Sequence, residues 1–211
     1  MQKKNLNIII SGSNGFLGSA IKKLFYTKGL SLVKIDVKKN FYDNLNKKKI
    51  FEDLRKKYKK NKNNLLIHLG WGSMVEPYSE YHKINYEKSK ILFDCCDEIG
   101  FQKIIFCGSM NEYGNRKGLL KENLKPKNLK TLYAKYKYLT TIYGVKNIKK
   151  FYSIRPSYIY GYNQRSGTLI DLLLKNIKKN KEISMSHCKI HRDYVFVDDV
   201  ALAFFNISTL N

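Results

Sequence analysis

The sequence has few of the features that mark membrane-spanning, secreted or metal-binding proteins. No apolar run approaches the roughly 18 residues needed to cross a bilayer, and the first residues show no signal-peptide pattern. The four cysteines have no metal-ligand spacing, and Cys95 and Cys96 are adjacent within a helical pattern. We therefore expect a cytoplasmic protein with no disulfide framework, no metal site and no membrane partner.

Acidic residues are also scarce, since 17 Asp and Glu stand against 40 Lys and Arg, for a formal net charge of +23. Such a charge could serve nucleic-acid binding. The lysines, however, recur along the whole chain, and Glu52 and Asp53 interrupt the densest stretch, residues 47–60. This distribution is typical of a solvated surface, so we expect no nucleic-acid partner. The positive field would also attract an anionic small substrate.

Only three prolines occur, and none marks a clear domain boundary. Short apolar runs alternate instead with helical patterns. Continuously apolar strands are buried on both faces, and their alternation with helices implies a parallel sheet. We predict an α/β, doubly wound, Rossmann-type parallel sheet over residues 1–155, followed by a smaller mixed region, 156–211. The predicted strands are 6–10, 32–35, 65–69, 104–107, 151–154 and 192–197, and the predicted helices lie near 16–26, 78–98, 131–143 and 168–179. A last helix is predicted to begin at Asp198-Asp199, where an aspartate could accept hydrogen bonds from the amides of the first turn.

A glycine-rich loop, Gly12-Ser13-Asn14-Gly15-Phe16-Leu17-Gly18, connects the first predicted strand to the first predicted helix. Glycines at this spacing allow a tight turn and a close approach of the backbone to a pyrophosphate at the helix N-terminus. Alone, the loop could be a flexible turn. Asp36 follows the second strand, where a carboxylate would meet the adenosine ribose hydroxyls. We therefore predict NAD as the cofactor, with NADP as the alternative because Lys38 and Lys39 follow closely.

Tyr133 and Lys137 are four residues apart on a predicted helix and share one face. An ammonium beside a phenol favours the phenolate and makes the tyrosine a better base. The pair could also be surface decoration, because the chain has 16 tyrosines and many lysines. Ser109 follows the predicted strand 104–107, at the carboxyl end where ligands bind in such sheets. Its hydroxyl could bind a carbonyl or an alcohol, so Ser109, Tyr133 and Lys137 are the predicted catalytic residues.

Together these motifs resemble those of the extended short-chain dehydrogenase/reductase family, which contains nucleotide-sugar epimerases, dehydratases and reductases. The resemblance covers almost the whole chain. It extends to four further segments, Ile67-His68-Leu69-Gly70-Trp71, Gly108-Ser109-Met110-Asn111-Glu112-Tyr113-Gly114, Arg155-Pro156-Ser157-Tyr158-Ile159-Tyr160-Gly161 and Arg192-Asp193-Tyr194-Val195-Phe196-Val197.

The resemblance implies a nucleotide-sugar substrate and assigns residues to two binding sites. It also implies a homodimer, because family members often pair through the helix that carries the tyrosine and lysine. Arg192 would meet the substrate diphosphate, a role that its bidentate donors suit. The implied cofactor-binding residues are Gly12, Asn14, Gly15, Phe16, Leu17, Asp36, Leu69, Gly70, Trp71, Tyr133, Lys137 and Pro156. The implied substrate-binding residues are Ser109, Asn111, Tyr133, Tyr158 and Arg192.

The chain departs from the family pattern at three points. Asn111 stands where dehydratases of the family carry an acid, with Glu112 one step later, which disfavours dehydration. Tyr158 stands where family members often have asparagine. The sequence ends at Asn211, within the helix after the Arg192 strand, where family members usually continue, so we expect an incomplete substrate-binding portion.

Three functions therefore remain open. An epimerase acting at C4 of the sugar is favoured by Asp36, because that residue favours NAD. A reductase of nucleotide 4-keto-6-deoxysugars is favoured by the Glu112-Tyr113 segment. The early end of the sequence leaves a third function, a catalytically weak dinucleotide-binding protein.

Overall fold

A computed structural model describes residues 5–35, 46–185, 187, 189 and 191–210. Its strands are β1 (Leu6–Ser11), β2 (Leu32–Ile35), β3 (Asn63–His68), β4 (Lys103–Cys107), β5 (Phe151–Ile154), β6 (Tyr158–Tyr160) and β7 (Tyr194–Phe196). Its helices are α1 (Phe16–Thr27), α2 (Lys47–Lys57), α3 (Tyr81–Ile99), α4 (Leu132–Asn147), α5 (Leu169–Lys178) and α6 (Val197–Thr209), with a short 3-10 helix at Met110–Tyr113.

Five parallel strands form the central sheet, in the order β2-β1-β3-β4-β5. Strand β2 lies on one side of β1, and the chain then crosses over to place β3 on the other side. A crevice opens between β1 and β3 at their carboxyl ends, which is where doubly wound sheets bind ligands. Strands β6 and β7 form a separate parallel pair.

The sheet is covered on both faces because successive residues of its strands point in opposite directions. Ile8 and Ile10 of β1 pack on one face with α1 and α6, whereas Ile9 packs on the other with α2 and α3. All six residues of β1 are buried. Burying such an aliphatic side chain contributes about 1.5–3 kcal/mol, so these two apolar layers hold the crevice in place.

Local signals in the sequence set the ends of the helices. Thr131 begins α4 by accepting a hydrogen bond from the amide of Ala134 at 3.1 Å. Gly100 ends α3 in the left-handed conformation, with φ of 95°, which glycine adopts without steric cost. In the part of the chain that the structure describes, no helix is long and apolar enough to span a membrane.

The predicted α/β doubly wound fold is confirmed. Two local expectations differ from the structure. Residues 158–160 form β6, which the sequence pattern did not predict. The aspartates at 198 and 199 lie inside the first turn of α6, which begins at Val197 with Phe196 as its cap, so they act on the helix dipole rather than as the cap residue. The division at residues 155 and 156 stays a prediction, and α6 packs into the same apolar layer as α1.

Lys103 links the central sheet to the end of the last helix. It lies on β4 and is only 3% exposed. Its ammonium donates hydrogen bonds of 2.7 Å to the carbonyls of Ile207 and Leu210. These carbonyls belong to the end of α6, where helices leave acceptors without partners. Burial lowers the pKa of Lys103, yet the two bonds and the negative end of the helix dipole compensate the charge.

Replacing Lys103 with methionine should lower the free energy of unfolding by roughly 1–3 kcal/mol, because two carbonyls at the end of the last helix lose their charged donor. Urea unfolding at neutral pH measures the change. Lys60→Met, at an exposed position, is the matched control and should leave the midpoint nearly unchanged. Equal midpoints for both variants would contradict this role of Lys103.

Candidate active site

A cleft of about 850 Å³ opens at the carboxyl ends of the strands, at the crevice between β1 and β3. Its volume is in the range of small-molecule sites. Most of the predicted site residues line it, although they come from six separate segments of the chain. These residues are Gly12, Asn14, Gly15, Phe16, Leu17, Leu69, Gly70, Trp71, Ser109, Tyr133, Lys137, Pro156, Tyr158 and Arg192.

The glycine loop forms one end of the cleft. Gly12 has φ of +72°, and a Cβ added there would lie 2.8 Å from the backbone nitrogen of Gly70. A Cβ on Gly18 would collide with the carbonyl of Gly12. Gly15 begins α1 without a side-chain cap, and the first turn of the helix carries no acidic residue. The positive end of the helix therefore faces the cleft, as an anion site requires.

A buried chain of hydrogen bonds fixes the loop after β3. The amide of Gly70 donates to Ser11 Oγ at 3.2 Å, and this hydroxyl bonds His68 Nδ1 at 2.6 Å. His68 Nε2 bonds Ser89 Oγ at 3.0 Å, and Ser89 donates to the carbonyl of Asn85 at 2.7 Å. Each hydroxyl can then donate once and accept once only if the proton of His68 is on Nε2. Burial lowers the pKa of His68 to about 3, so the ring stays neutral.

Trp71 continues this loop and lies against the predicted catalytic helix. Its indole N–H donates to His82 Nδ1 at 3.1 Å, and His82 Nε2 bonds the carbonyl of Glu76 at 2.9 Å. The ring of Tyr133 meets the rings of Trp71 and His82 edge to face, with centroids at 6.5 and 5.3 Å. Burial lowers the pKa of His82, which favours the neutral ring that this acceptor role needs.

Ser109 lies just beyond β4, and two hydrogen bonds fix its conformation. Its hydroxyl accepts from the amide of Asn111 at 3.2 Å. Its own amide donates to a carboxylate oxygen of Glu112 at 2.8 Å. This reciprocal pattern is a capping box around the 3-10 helix. The hydroxyl is thereby held at the wall of the cleft.

Tyr133 lies in the first turn of α4, and its amide donates to the carbonyl of Pro77 at 2.9 Å. The side chain is 8% exposed. Burial raises the pKa of the Tyr133 phenol, and a hydrogen bond with the Ser109 hydroxyl offsets part of this rise. The phenol is therefore neutral at physiological pH in the protein alone.

Lys137 is 3% exposed and contacts two aromatic rings. Its ammonium is 4.1 Å from the ring centroid of Trp71 and 4.7 Å from that of Phe106. It donates a hydrogen bond of 2.7 Å to the carbonyl of Cys107. Burial lowers the pKa of Lys137 to about 8. The side chain thus remains mostly protonated at neutral pH, with its charge held in the lining of the cleft.

Arg192 and two tyrosines form the opposite wall. The guanidinium of Arg192 lies 4.6 Å from the ring centroid of Tyr158, and that ring is 5.7 Å from the ring of Tyr194. Among the described residues that line the cleft, Lys34, Lys137 and Arg192 are cationic and none is Asp or Glu. The described lining therefore suits an anionic ligand.

Two predicted residues are not among those that line the cleft. Asn111 is exposed on the 3-10 helix. Its backbone amide donates a hydrogen bond to the Ser109 hydroxyl. Asp36 lies outside the described residues, as do Lys38 and Lys39. The assigned roles of the residues that do line the cleft remain predictions.

Sequence reasoning missed the residues that support the site. His68 and His82 are buried partners of the cleft loop, and Glu112 is the buried partner of Ser109. The Ser-x-x-Glu spacing of Ser109 and Glu112 was a usable local signal for the capping box. Nothing in the sequence places Ser11 beside His68, because 57 residues separate them.

A doubly wound parallel sheet with a glycine loop at its switch point defines the Rossmann class of nucleotide-binding proteins. A family model described as NAD dependent epimerase/dehydratase family matches residues 8–209. The chain belongs to this family of enzymes, and the resemblance inferred from its motifs is confirmed. The chain is also 21% identical to the CDP-abequose synthase of Salmonella muenchen over 211 residues, which cover 96% of this chain and 70% of the relative.

Solved structures of similar fold include enzymes of several activities. The UDP-N-acetylglucosamine 4-epimerase from Bacillus cereus is 19% identical with a TM-score of 0.78, over 96% of this chain and 71% of its own. MoeE5 in complex with UDP-glucuronic acid and NAD is 20% identical with a TM-score of 0.76, over 97% and 73%. A dTDP-4-dehydrorhamnose reductase from Clostridium acetobutylicum is 20% identical with a TM-score of 0.75, over 95% and 69%. These likenesses support the fold.

Replacing Gly12 with alanine should weaken NAD binding at least about tenfold and destabilise the protein. A Cβ at residue 12 must displace the backbone of Gly70, in addition to the cost of about 1–2 kcal/mol for a left-handed L-residue. Gly29→Ala is the control, because Gly29 has φ of +75° but nothing within 4 Å of an added Cβ. Trp71 is the single tryptophan and lines the cleft, so its fluorescence measures NAD binding. Equal affinities for the two variants would contradict the close approach.

Replacing Lys137 with methionine should change stability differently at pH 7 and pH 10, because burial disfavours the charged lysine only while it is protonated, whereas the hydrogen bond to the Cys107 carbonyl is lost at both pH values. The pKa of Lys137 falls from 10.5 to about 8 on folding. The destabilisation is therefore complete below pH 8 and disappears as the pH rises towards 10.5. Urea unfolding at pH 7 and pH 10 measures the difference. Lys135→Met, at an exposed position on the same helix, should change little at either pH, and a pH-independent effect of the Lys137 variant would contradict the buried charge.

Proposed function

We propose that the chain is an NAD-dependent, epimerase-type enzyme that acts on a nucleotide sugar at one carbon, C4 of the hexose. One observation carries the proposal. Ser109, Tyr133 and Lys137 line the same cleft as the glycine loop, and no described residue of that lining is a carboxylate. The cleft thus offers proton transfer by a phenol beside a dinucleotide site, and its described lining lacks the acids that elimination chemistry uses.

The glycine cradle supports binding of the dinucleotide. The missing Cβ atoms at Gly12 and Gly18 leave the backbone free to approach a pyrophosphate, and the uncapped start of α1 at Gly15 supplies donors. Leu69, Gly70, Trp71 and Pro156 would line the rest of the dinucleotide. When bound, NAD would take up the hydride from C4 and return it to the opposite face of the sugar, and its oxidised form would add a positive charge to the site.

In the proposed reaction Tyr133 exchanges the proton of the sugar hydroxyl. Its neutral phenol, raised in pKa by burial, needs nearby positive charge to become a base. Lys137 supplies a protonated ammonium on the same face of α4, 5.9 Å from the ring centroid of Tyr133. Ser109 would donate to, or accept from, the oxygen at the reacting carbon.

The cationic lining supports a substrate that carries a diphosphate. Arg192 would bind the diphosphate with its fork of donors, and Tyr158 would hold the guanidinium through the contact of 4.6 Å. The names of similar proteins and complexes include UDP-glucuronic acid, UDP-glucose and a CDP-linked sugar. They support a nucleotide sugar and leave its base and hexose open.

Reduction of a nucleotide 4-keto-6-deoxysugar is the second candidate. The same Ser109 and Tyr133 would donate to the ketone oxygen, and Glu112, which the sequence linked with reduction, is buried beneath Ser109. A structure of a dTDP-4-dehydrorhamnose reductase shares the fold. Dehydration receives less support, because Asn111 is exposed and replaces the acid.

A substrate panel separates the candidates. The purified protein is incubated with NAD and each of UDP-glucose, UDP-N-acetylglucosamine and UDP-glucuronic acid, and NMR follows the C4 configuration. In parallel, absorbance at 340 nm follows NADH or NADPH with a CDP-linked 4-keto-6-deoxyhexose. Inversion at C4 supports the epimerase and oxidation of a reduced cofactor supports the reductase. NAD binding without either reaction would indicate a dinucleotide-binding protein.

Tyr133→Phe should lower kcat by about a hundredfold or more, in line with the size of general acid–base effects, and should leave NAD affinity within about threefold. The variant removes the phenol hydroxyl and keeps the ring against Trp71 and His82. Tyr136→Phe, on the same helix but not in the cleft lining, is the control and should keep full turnover. Unchanged turnover in the Tyr133 variant would overturn its role as acid and base.

A further inference from the structure

A buried carboxylate lies beneath the turn that carries Ser109. Glu112 is 1% exposed and is not among the residues that line the cleft. One carboxylate oxygen accepts from the amide of Ser109 at 2.8 Å, and the other accepts from Nε of Arg155 at 2.9 Å. The pair thus connects the turn after β4, at Ser109, with the residue after β5, Arg155.

The backbone is shaped to admit this carboxylate. A Cβ at Gly108 would collide with an oxygen of Glu112 and would lie 2.7 Å from Ser153 Oγ. Arg155 is itself fixed by a bond of 3.0 Å from Nη1 to the carbonyl of Glu122, and its guanidinium lies 5.0 Å from the ring centroid of Tyr113. Both charges are therefore held by contacts that leave little freedom.

A simple helix cap does not require this arrangement. An exposed glutamate at the same position could close the capping box, whereas burying a charged pair costs several kcal/mol of desolvation. The four-residue 3-10 helix is too short to need such a support for its own stability. Ser109 is the group that gains a fixed position, because the carboxylate holds its amide while its hydroxyl accepts from Asn111 at 3.2 Å.

We propose that Glu112 is a positioning residue, which holds the Ser109 backbone so that the serine hydroxyl faces Tyr133 and the cleft. That Glu112 holds the Ser109 backbone rests on the observed hydrogen bond. That this matters for catalysis rests on the proposed function. Arg155 neutralises the carboxylate without touching the cleft. The Ser109 hydroxyl also lowers the pKa of Tyr133, so its position affects the proton that Tyr133 exchanges.

The charge of Glu112 must be separated from its hydrogen bond in a test. Glu112 also acts on the site through space, since its charge raises the pKa values of Tyr133 and Lys137. Two double variants, Glu112→Gln with Arg155→Met and Glu112→Met with Arg155→Met, are both uncharged at these positions. They are matched in charge and similar in length, and they differ in whether residue 112 can offer an oxygen to the Ser109 amide.

Hydrogen exchange of the Ser109 amide tests the geometry without any substrate. We expect at least about tenfold faster exchange in the double variant with Glu112→Met than in the one with Glu112→Gln, while amides of β1 exchange alike in both. In the unchanged protein, a scalar coupling across the hydrogen bond should be observable between Ser109 N and Glu112 Cδ. This measurement needs no variant, so it tests the contact even if a variant fails to fold. Equal exchange rates, or no coupling, would overturn the proposal whatever the enzyme's activity.

Turnover tests the functional part. The variant that lacks the oxygen should lose about 10–100-fold in kcat relative to the variant that keeps it. The NAD affinity, measured by Trp71 fluorescence, should be the same in both. The same comparison in a Ser109→Ala background should show no further loss, because Glu112 then has no hydroxyl to position. An equal loss in both backgrounds would show general damage to the fold and overturn the role. Failure of the proposed function would look different, since the unchanged chain would then turn over no sugar.

Discussion

The close approach of two backbones, at Gly12 and Gly70, is the constraint on which the cleft depends. A Cβ on Gly12 would lie 2.8 Å from the nitrogen of Gly70, so the loop after β1 and the loop after β3 can be neighbours only without a side chain there. The same Gly70 amide is tied to Ser11 on β1 through a bond of 3.2 Å. Because β1 and β3 are adjacent at the point where strand order reverses, this contact sets the floor of the crevice and the start of the loop that brings Trp71 against Tyr133 and Lys137.

Buried polar groups are concentrated around that floor. His68, Glu112 and Lys137 are each almost fully buried, and each has partners fixed in direction: two hydroxyls, an amide with a guanidinium, and a carbonyl with two aromatic rings. Satisfied networks of this kind give a unique arrangement at the cost of desolvation. The protein therefore gives up stability at the cleft and recovers it in the two apolar layers on either side of the sheet.

The sequence was informative where structure is local or periodic. Apolar runs located the five strands of the central sheet, the glycine spacing located the turn into α1, and order along the chain located Ser109 ahead of Tyr133 and Lys137. It was silent where partners are distant. Glu112 and Arg155 are 43 residues apart, and the hydroxyl of Ser11 meets a histidine 57 residues away. Such pairs depend on strand order in the sheet, which residue spacing alone does not determine. The sequence pattern did not predict the short strand β6 for a related reason. In the described part of the chain it pairs only with β7, which is distant in sequence.

The position of Lys103 has a consequence for the order in which the molecule is built. Its two carbonyl partners are 104 and 107 residues further along the chain, and β4 carries Lys103 at one end and leads into the Ser109 turn at the other. A chain that has formed the first four strands still lacks both carbonyl partners of the Lys103 ammonium. Contacts of such long sequence separation slow folding. The Lys103 side chain thus reaches its final contacts only when the last helix has docked.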